Sequence, residues 1–252
     1  MRVLVTNDDG LEAPGLAALA GVAAGLGPVW VIAPLQAQSC GGHAVTTGTE
    51  LLVRPVPGRP EGWYGVRGTP ADCVRLAVSG LLCPAPELVL SGINQGGNLG
   101  MDVFYSGTVA AAREAACQGK IGVAVSQYTR PEVPIDWGWA AKRAGEAVRD
   151  ILDRLAALDS SEAFACYWNV NLPLCLSPDQ VPARLLVAHD VRPLPLELEE
   201  LGVAAAEGGR SFANRGVYHH RLREPGGDVA VVFGGAVAIT PLQLRTSRVG
   251  GA

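Results

Sequence analysis

Asp8 and Asp9 stand in the stretch Thr6-Asn7-Asp8-Asp9-Gly10, which directly follows the short apolar run Val3-Leu4-Val5. In a continuing strand, neighbouring side chains point to opposite faces and could not share an ion. A chain that turns, as Gly10 permits, brings both carboxylates toward one place. An Asp-Gly turn with solvated carboxylates has the same spelling, so the pair by itself leaves both readings open. A second loop, 33–43, offers the Ser39 hydroxyl, Gly41-Gly42 for close backbone approach to an anion, and His43, which titrates near neutrality. A third, Ser91-Gly92-Ile93-Asn94-Gln95-Gly96-Gly97-Asn98-Leu99-Gly100, leads through residues 101–105 to Ser106-Gly107-Thr108 at the expected start of a helix. Free N–H groups and hydroxyls at a helix start suit phosphate. Two carboxylates, a hydroxyl and amide carbonyls make an all-oxygen set, which prefers Mg2+ or Mn2+. A divalent ion beside a helix N-terminus describes metal-assisted phosphoester hydrolysis.

Several other chemistries are excluded by what is not spelled. The chain contains no GxxxxGK[ST], no GxGxxG, no GxSxG, no HExxH and no CxxC. The six cysteines sit in or beside apolar stretches of a chain too large to need stapling, and read as reduced thiols.

The elements that must position these loops alternate between short apolar runs and longer helical patterns. The sequence predicts strands over 3–6, 29–33, 88–90, 121–125 and 165–170, and helices over 14–26, 70–80, 108–118 and 135–158. That alternation specifies α/β with a mainly parallel sheet, whose ligands bind beyond the carboxyl ends of the strands. Thr69 with Pro70, and Ser106, are the expected helix starts. Residues 50–55 and 62–66 read as a β insertion within 45–66. Beyond residue 172 a proline-rich, β-rich texture takes over, with a strand pair expected at 217–222 and 229–233 around Pro225-Gly226-Gly227-Asp228. The expected division is a catalytic domain over 1–172 and an extension over 173–252.

Composition bounds the partners. In 252 residues, 20 Lys+Arg against 24 Asp+Glu leave a formal charge of −4, so no basic field exists to hold a nucleic acid polymer. Residues 15–35 are 21 in a row without a charge, yet Gly25, Gly27-Pro28 and Pro34 break them, and they read as a buried helix and strand, not as a membrane span. No signal peptide is spelled, and a cytoplasmic address is expected.

The chain resembles SurE, the survival-protein family of metal-dependent nucleotidases. The segments that carry the resemblance are Val3-Leu4-Val5-Thr6-Asn7-Asp8-Asp9-Gly10, Gly68-Thr69-Pro70-Ala71-Asp72-Cys73, Ser91-Gly92-Ile93-Asn94, Asn98-Leu99-Gly100, Tyr105-Ser106-Gly107-Thr108-Val109, Asn169-Val170-Asn171-Leu172-Pro173 and Ala238-Ile239-Thr240-Pro241-Leu242. The resemblance implies hydrolysis of nucleoside monophosphates to nucleoside and phosphate, with one divalent cation per subunit held by Asp8, Asp9, Ser39 and Asn94. Asn98, Ser106, Gly107 and Thr108 would surround the phosphate. It also implies a Rossmann-like three-layer main domain and a C-terminal arm swapped between subunits of a homodimer or homotetramer. Attack by a water that the cation activates, with Asp8 as ligand or base and Asp9 holding the ion, is the expected mechanism. His43 is expected to protonate the leaving alcohol. A nucleotide- and metal-binding sensor without turnover would use the same loops. Cys40, where a glycine is frequent, and Arg113, where Met is frequent, depart from the family pattern; Arg113 reads as a surface or interface residue.

Overall fold

The computed structural model describes residues 1–38, 41–157, 166–204 and 209–244. Its strands are β1 (Val3–Thr6), β2 (Val29–Pro34), β3 (Leu52–Pro55), β4 (Trp63–Arg67), β5 (Leu88–Gln95), β6 (Ile121–Gln127), β7 (Cys166–Leu172), β8 (Arg184–Leu186), β9 (Leu198–Ala204), β10 (Gly209–Asn214) and β11 (Val237–Gln243). The α-helices are α1 (Pro14–Ala24), α2 (Pro70–Val78), α3 (Gly107–Cys117), α4 (Trp137–Ala156) and α5 (Asp228–Phe233), with 3-10 turns at Gly100–Phe104 and Tyr218–His220.

One nine-stranded sheet, ordered β3-β4-β2-β1-β5-β6-β7-β11-β8, forms the middle layer. All strands from β4 to β7 pair in parallel, while β3 and β11 run against their neighbours β4 and β7. The three layers follow from alternation. Val3, Val5, Leu88, Leu90, Val123 and Val125 bury one face with α1 and α4, and Leu4, Ile32, Val89 and Ala124 bury the other with α2 and α3. With both faces covered, the strands read as unbroken apolar runs. The charge-free run at 15–35 becomes α1 and β2, and among the described residues no helix is long and apolar enough to cross a membrane.

Local chemistry sets the helix starts. Thr69 and Asp72 form a reciprocal capping box on α2, Ser106 accepts from Val109 N–H on α3, and Asp136 accepts from Trp139 N–H on α4. Five cysteines, Cys73, Cys83, Cys117, Cys166 and Cys175, are free thiols.

Three expectations need correction. The strand behind Leu88 does not stop at Leu90: β5 runs on to Gln95, with a register shift against β6 between Ser91 and Asn94, so half of the expected Gly-rich loop is strand. The expected hairpin at 217–222 and 229–233 is a 3-10 turn and helix α5. The reason is burial at helical spacing: Val229 and Val232 are inside, and the Asp228 carboxylate accepts its own helix's Val229 N–H. Finally, the sheet continues past residue 172, because β8 and β11 join it, whereas β9 and β10 pair only with each other. The ends predicted at Leu158 and Ala165 lie outside the described residues.

Helix α3 reaches the sheet at Gly122 on β6, where an added Cβ would lie 2.0 Å from the Ala112 carbonyl oxygen. Gly122→Ala must therefore push α3 outward. The expected cost is about 1–3 kcal/mol, read as a lower urea midpoint with an unchanged slope.

Candidate active site

Strand β1 sends the chain through α1 to β2 on one side, while β5, paired to its other edge, sends it through α3 to β6 in the opposite direction. The loops leaving β1 and β5 therefore part, and a crevice opens at their carboxyl ends, the place where open α/β sheets bind ligands. A cavity of about 330 Å³ lies there, lined by Asp8, Asp9, Asn94, Gln95, Gly97, Asn98, Asp102, Tyr105 and Ser106.

Asp8 is anchored from α3. Its Oδ2 accepts from Thr108 N–H at 3.0 Å and its Oδ1 accepts from the Thr108 hydroxyl. A Cβ at Gly107 would lie 2.8 Å from Asp8 Cβ, so only glycine lets the carboxylate seat against the helix start. The turn itself is made by Gly10 at φ +96°, with Asn7 Nδ2 donating to its carbonyl and Gln38 N–H donating to the Asp8 carbonyl. Asp9 Oδ2 accepts from Gln95 N–H at 3.0 Å, tying β1's loop to β5's. Burial pushes the Asp8 carboxyl above the usual range, and the Asp9 charge adds to it, against the lowering pull of Thr108. Burial raises Asp9 too, partly offset by the Gln95 N–H.

Asn94 spends its Nδ2 on the Gly96 carbonyl at 2.8 Å, which leaves Oδ1 as the end able to meet a cation. Asn98 is gripped by three side chains. Its N–H donates to Asn171 Oδ1, its carbonyl accepts from Asn169 and Asn171 Nδ2, and its own Nδ2 donates to Ser126 Oγ. Ser106 lines the cavity while capping α3. At this helix start the Thr108 N–H goes to Asp8 and the Val109 N–H to Ser106 Oγ, so the Gly107 N–H is the one left for an anion. Thr108, expected to touch phosphate, gives its N–H and hydroxyl to Asp8 in this structure. Ser39 and Cys40 lie outside the described residues.

His43 does not line the cavity. Arginine cannot accept a hydrogen bond, so the contact from Arg113 Nε at 2.8 Å makes His43 Nδ1 the acceptor and Nε2 the protonated nitrogen, which donates to Glu114 Oε2 at 2.7 Å. Both ring nitrogens of His43 thus have partners in the fold. Burial raises the Glu114 carboxyl, but hydrogen bonds from Arg75, Gln118 and His43 and the Arg75 charge outweigh that and hold it below the usual range. Arg113 thus belongs to a half-buried network beneath residues 41–46, rather than to a bare surface.

Sequence reasoning missed Asp102 and Tyr105, which line the cavity from the 3-10 turn, and Gln95 and Gly97. It also assigned no role to Asn169 and Asn171. Two asparagines at i and i+2 put amides on one face of a buried strand, a signal that could have found them.

The donor set is oxygen-only, and among the described residues no Lys, Arg or His side chain lines the cavity. Among the described residues no group of three or more His, Cys, Asp or Glu could hold a metal alone. Carboxylate, amide and hydroxyl oxygens together fit a hard divalent cation, not a nitrogen–sulfur zinc site.

A mostly parallel sheet between two helix layers, with an acidic, oxygen-lined crevice at its topological switch point, defines an open α/β protein. The chain belongs to the SurE family: the family model described as "Survival protein SurE" matches residues 3–190. A protein of Nostoc sp. (strain PCC 7120) is 40% identical over 244 residues, covering 97% of this chain and 100% of that one. The 5′-nucleotidase SurE of Paramagnetospirillum magneticum is 37% identical over 247 residues, covering 96% of this chain and 89% of the relative. The crystal structure of SurE from Aquifex aeolicus superposes with a TM-score of 0.83 at 31% identity, covering 98% of this chain and 95% of that chain.

A carboxyl raised above its unfolded range, about 3.8 for Asp8, favours folding while protonated. That contribution is complete below the unfolded value and is lost as pH rises through the folded one. In chelator at about pH 7, Asp8→Asn is therefore expected to raise the urea midpoint above wild type, with the gap closing as pH falls through the carboxylate range. Added Mg2+ or Mn2+ should stabilise the wild type and not the variant.

Proposed function

We propose that this protein hydrolyses nucleoside monophosphates to nucleoside and inorganic phosphate, as a divalent-cation-dependent 5′-nucleotidase. The observation that carries the reading is the crevice in which Asp8, Asp9, Asn94, Asn98 and Ser106 converge with no basic side chain among them. Among the described residues such a site has no positive charge of its own with which to meet a phosphate. The relatives named 5′-nucleotidase support the same reading.

Asp8, Asp9, Asn94 and Ser39 would hold the cation, Mn2+ or Mg2+, which supplies charge neutralisation at the phosphate and acidifies the water that attacks it. Asn98, locked by Asn169, Asn171 and Ser126, orients the phosphate with Ser106 and the Gly107 N–H. Asp8, fixed by Thr108, accepts a proton from the attacking water as the new P–O bond forms in line with the ester bond that breaks. The leaving alkoxide takes its proton from solvent. Asp9 is the cation-holding partner and, through Gln95, keeps the β1 and β5 loops together.

We further propose assembly as a homodimer or homotetramer through the C-terminal arm. The β9–β10 hairpin exposes Leu198, Leu201 and Phe212, and a lone two-stranded hairpin is marginal unless something covers it. A cytoplasmic location fits free thiols and the absence of a spanning helix among the described residues.

The test is phosphate release from 5′- and 3′-nucleoside monophosphates with Mn2+, Mg2+ or chelator. Multiple turnovers are expected, lost in chelator and reduced at least about a hundredfold in Asp8→Asn, since removing the charge-stabilising centre is worth several kcal/mol. Full turnover in chelator, or an undiminished rate in the variant, overturns the reading.

A further inference from the structure

Strands β3 and β4 form an antiparallel pair in which Leu52 faces Arg67 and Arg54 faces Gly65. Directly opposed side chains share a face, so Arg54 and Arg67 lie on one side of the pair as diagonal neighbours, about 7–8 Å apart along the backbone. Gly65 has no side chain to place between them, and Leu35, from the loop after β2, fills that position: an added Cβ at Gly65 would collide with the Leu35 side chain. A cavity of about 530 Å³ opens over this face, and its wall includes Leu35, Gln36, Gln38, Arg54, Arg67 and Gly68. We infer that this cavity is a second anion site, which takes the phosphate group of a small molecule without the help of a cation.

Three observations carry the assignment. First, the two charges are unmatched. Like charges side by side on a strand pair are destabilising, yet among the described residues neither arginine forms an ion pair or a side-chain hydrogen bond, and no carboxylate lines the cavity. The third arginine of the same hairpin, Arg59, shows the ordinary arrangement, with Glu12 at 3.3 Å and the Trp63 ring beneath it. Asp72, whose carboxylate lies against Gly68, is already spent on Thr46 N–H, the Thr46 hydroxyl and Thr69 N–H. Two guanidinium forks with nothing to hold match the oxygens of a phosphate. Second, the cavity is of the size of small-molecule sites, roughly 300–1,000 Å³, with Leu35 as an apolar floor and the Gln36 and Gln38 amides beside it. Third, it is distinct from the acidic crevice, since no residue lines both. Segment 36–38 is the partition. On its far side Gln38 N–H donates to the Asp8 carbonyl at 2.7 Å, and a Cβ at Gly10 would lie 3.1 Å from Ala37 N. An anion seated on Gln36 and Gln38 therefore bears on the Asp8–Gly10 turn from behind, the position of an effector.

The experiment titrates the full chain, freed of divalent cations, with inorganic phosphate and separately with glycerol phosphate, followed by calorimetry. Without a cation the acidic crevice repels an anion, so the titration reads the arginine cavity and does not depend on turnover. One saturable site per chain is expected. Arg54→Gln or Arg67→Gln should weaken it about tenfold or more, and the double variant should abolish it. Arg67→Lys, which keeps the charge and loses the fork, should fall between wild type and Arg67→Gln. Both arginines are exposed, so these substitutions do not threaten folding. Arg59→Gln, which removes a charge from the same hairpin, should leave the affinity unchanged. Tighter binding of glycerol phosphate assigns the cavity to a phosphate ester seated on Leu35, and the reverse order assigns it to the free anion. No saturable binding without cation, binding that the double variant retains, or an equal loss in Arg59→Gln overturns the assignment.

Discussion

A carboxylate buried beneath the start of a helix is the constraint from which the site is built. Asp8, 6% exposed, is joined across 100 residues of chain to Thr108, which offers it an N–H and a hydroxyl. Taking a charge out of water is costly unless it is hydrogen-bonded and paired. Here the hydrogen bonds come from the positive end of α3, and the pairing charge is left for a cation, because the neighbouring charged group, Asp9, has the same sign. Helix α3 must therefore sit close: Gly107 removes the side chain that would collide with Asp8, and Gly122 lets the same helix touch β6. The site's electrostatics and the sheet's packing are thus one requirement.

A chain of amides then carries order from the sheet to the mouth of the crevice. Asn169 and Asn171 project from one face of β7 and Ser126 from the adjoining β6, and all three hold Asn98. Asn98 ends a loop whose other end is tied to Asp9 through Gln95. Beyond it, the Gly100 N–H donates to Asp228 Oδ2, and Asp228 Oδ1 accepts the Asp190 N–H. The 3-10 turn that bears Asp102 and leads into Tyr105 is consequently clamped between the sheet and the C-terminal extension, which explains why a helix start at Asp228 occupies a place where a hairpin turn had been expected.

Most of the sheet, its flanking helices and the β1 carboxylates were legible because their signals are local. Apolar runs with alternating burial, Pro after Thr69, and Gly after two aspartates each report within a few residues. What could not be read depends on partners far along the chain. His43 looked like a proton donor because its neighbours are glycines and a serine. Its true partners, Arg113 and Glu114, are 70 and 71 residues away, and no composition rule announces that one glutamate in an alanine-rich helix is buried. Asp102 is neutralised by an arginine 119 residues on. Residues 229–233 failed for another reason: a valine-rich stretch has strand propensity, and only tertiary burial of Val229 and Val232 selects the helix.

The Asp102–Arg221–Tyr218 cluster shows how an arm outside the sheet's layered core can still shape the site. The Tyr218 hydroxyl, with its one proton, lies within hydrogen-bond distance of both the Gly97 carbonyl and Asp102 Oδ2, so the segment after β10 sits against both the Gly-rich loop and the 3-10 turn. Arg221 is 4% exposed at its side chain, and its charge is satisfied by a carboxylate on the other segment. Removing one partner would strand the other in a partly dry environment, so the fastening is strong in the sense that breaking it is costly, even though forming it contributes little net stability. The consequence is a fixed placement of the C-terminal segment against the mouth of the crevice. Asp102 and Tyr105, which line the crevice and the cavity beside it, are thereby held in place by a segment more than 100 residues further along the chain.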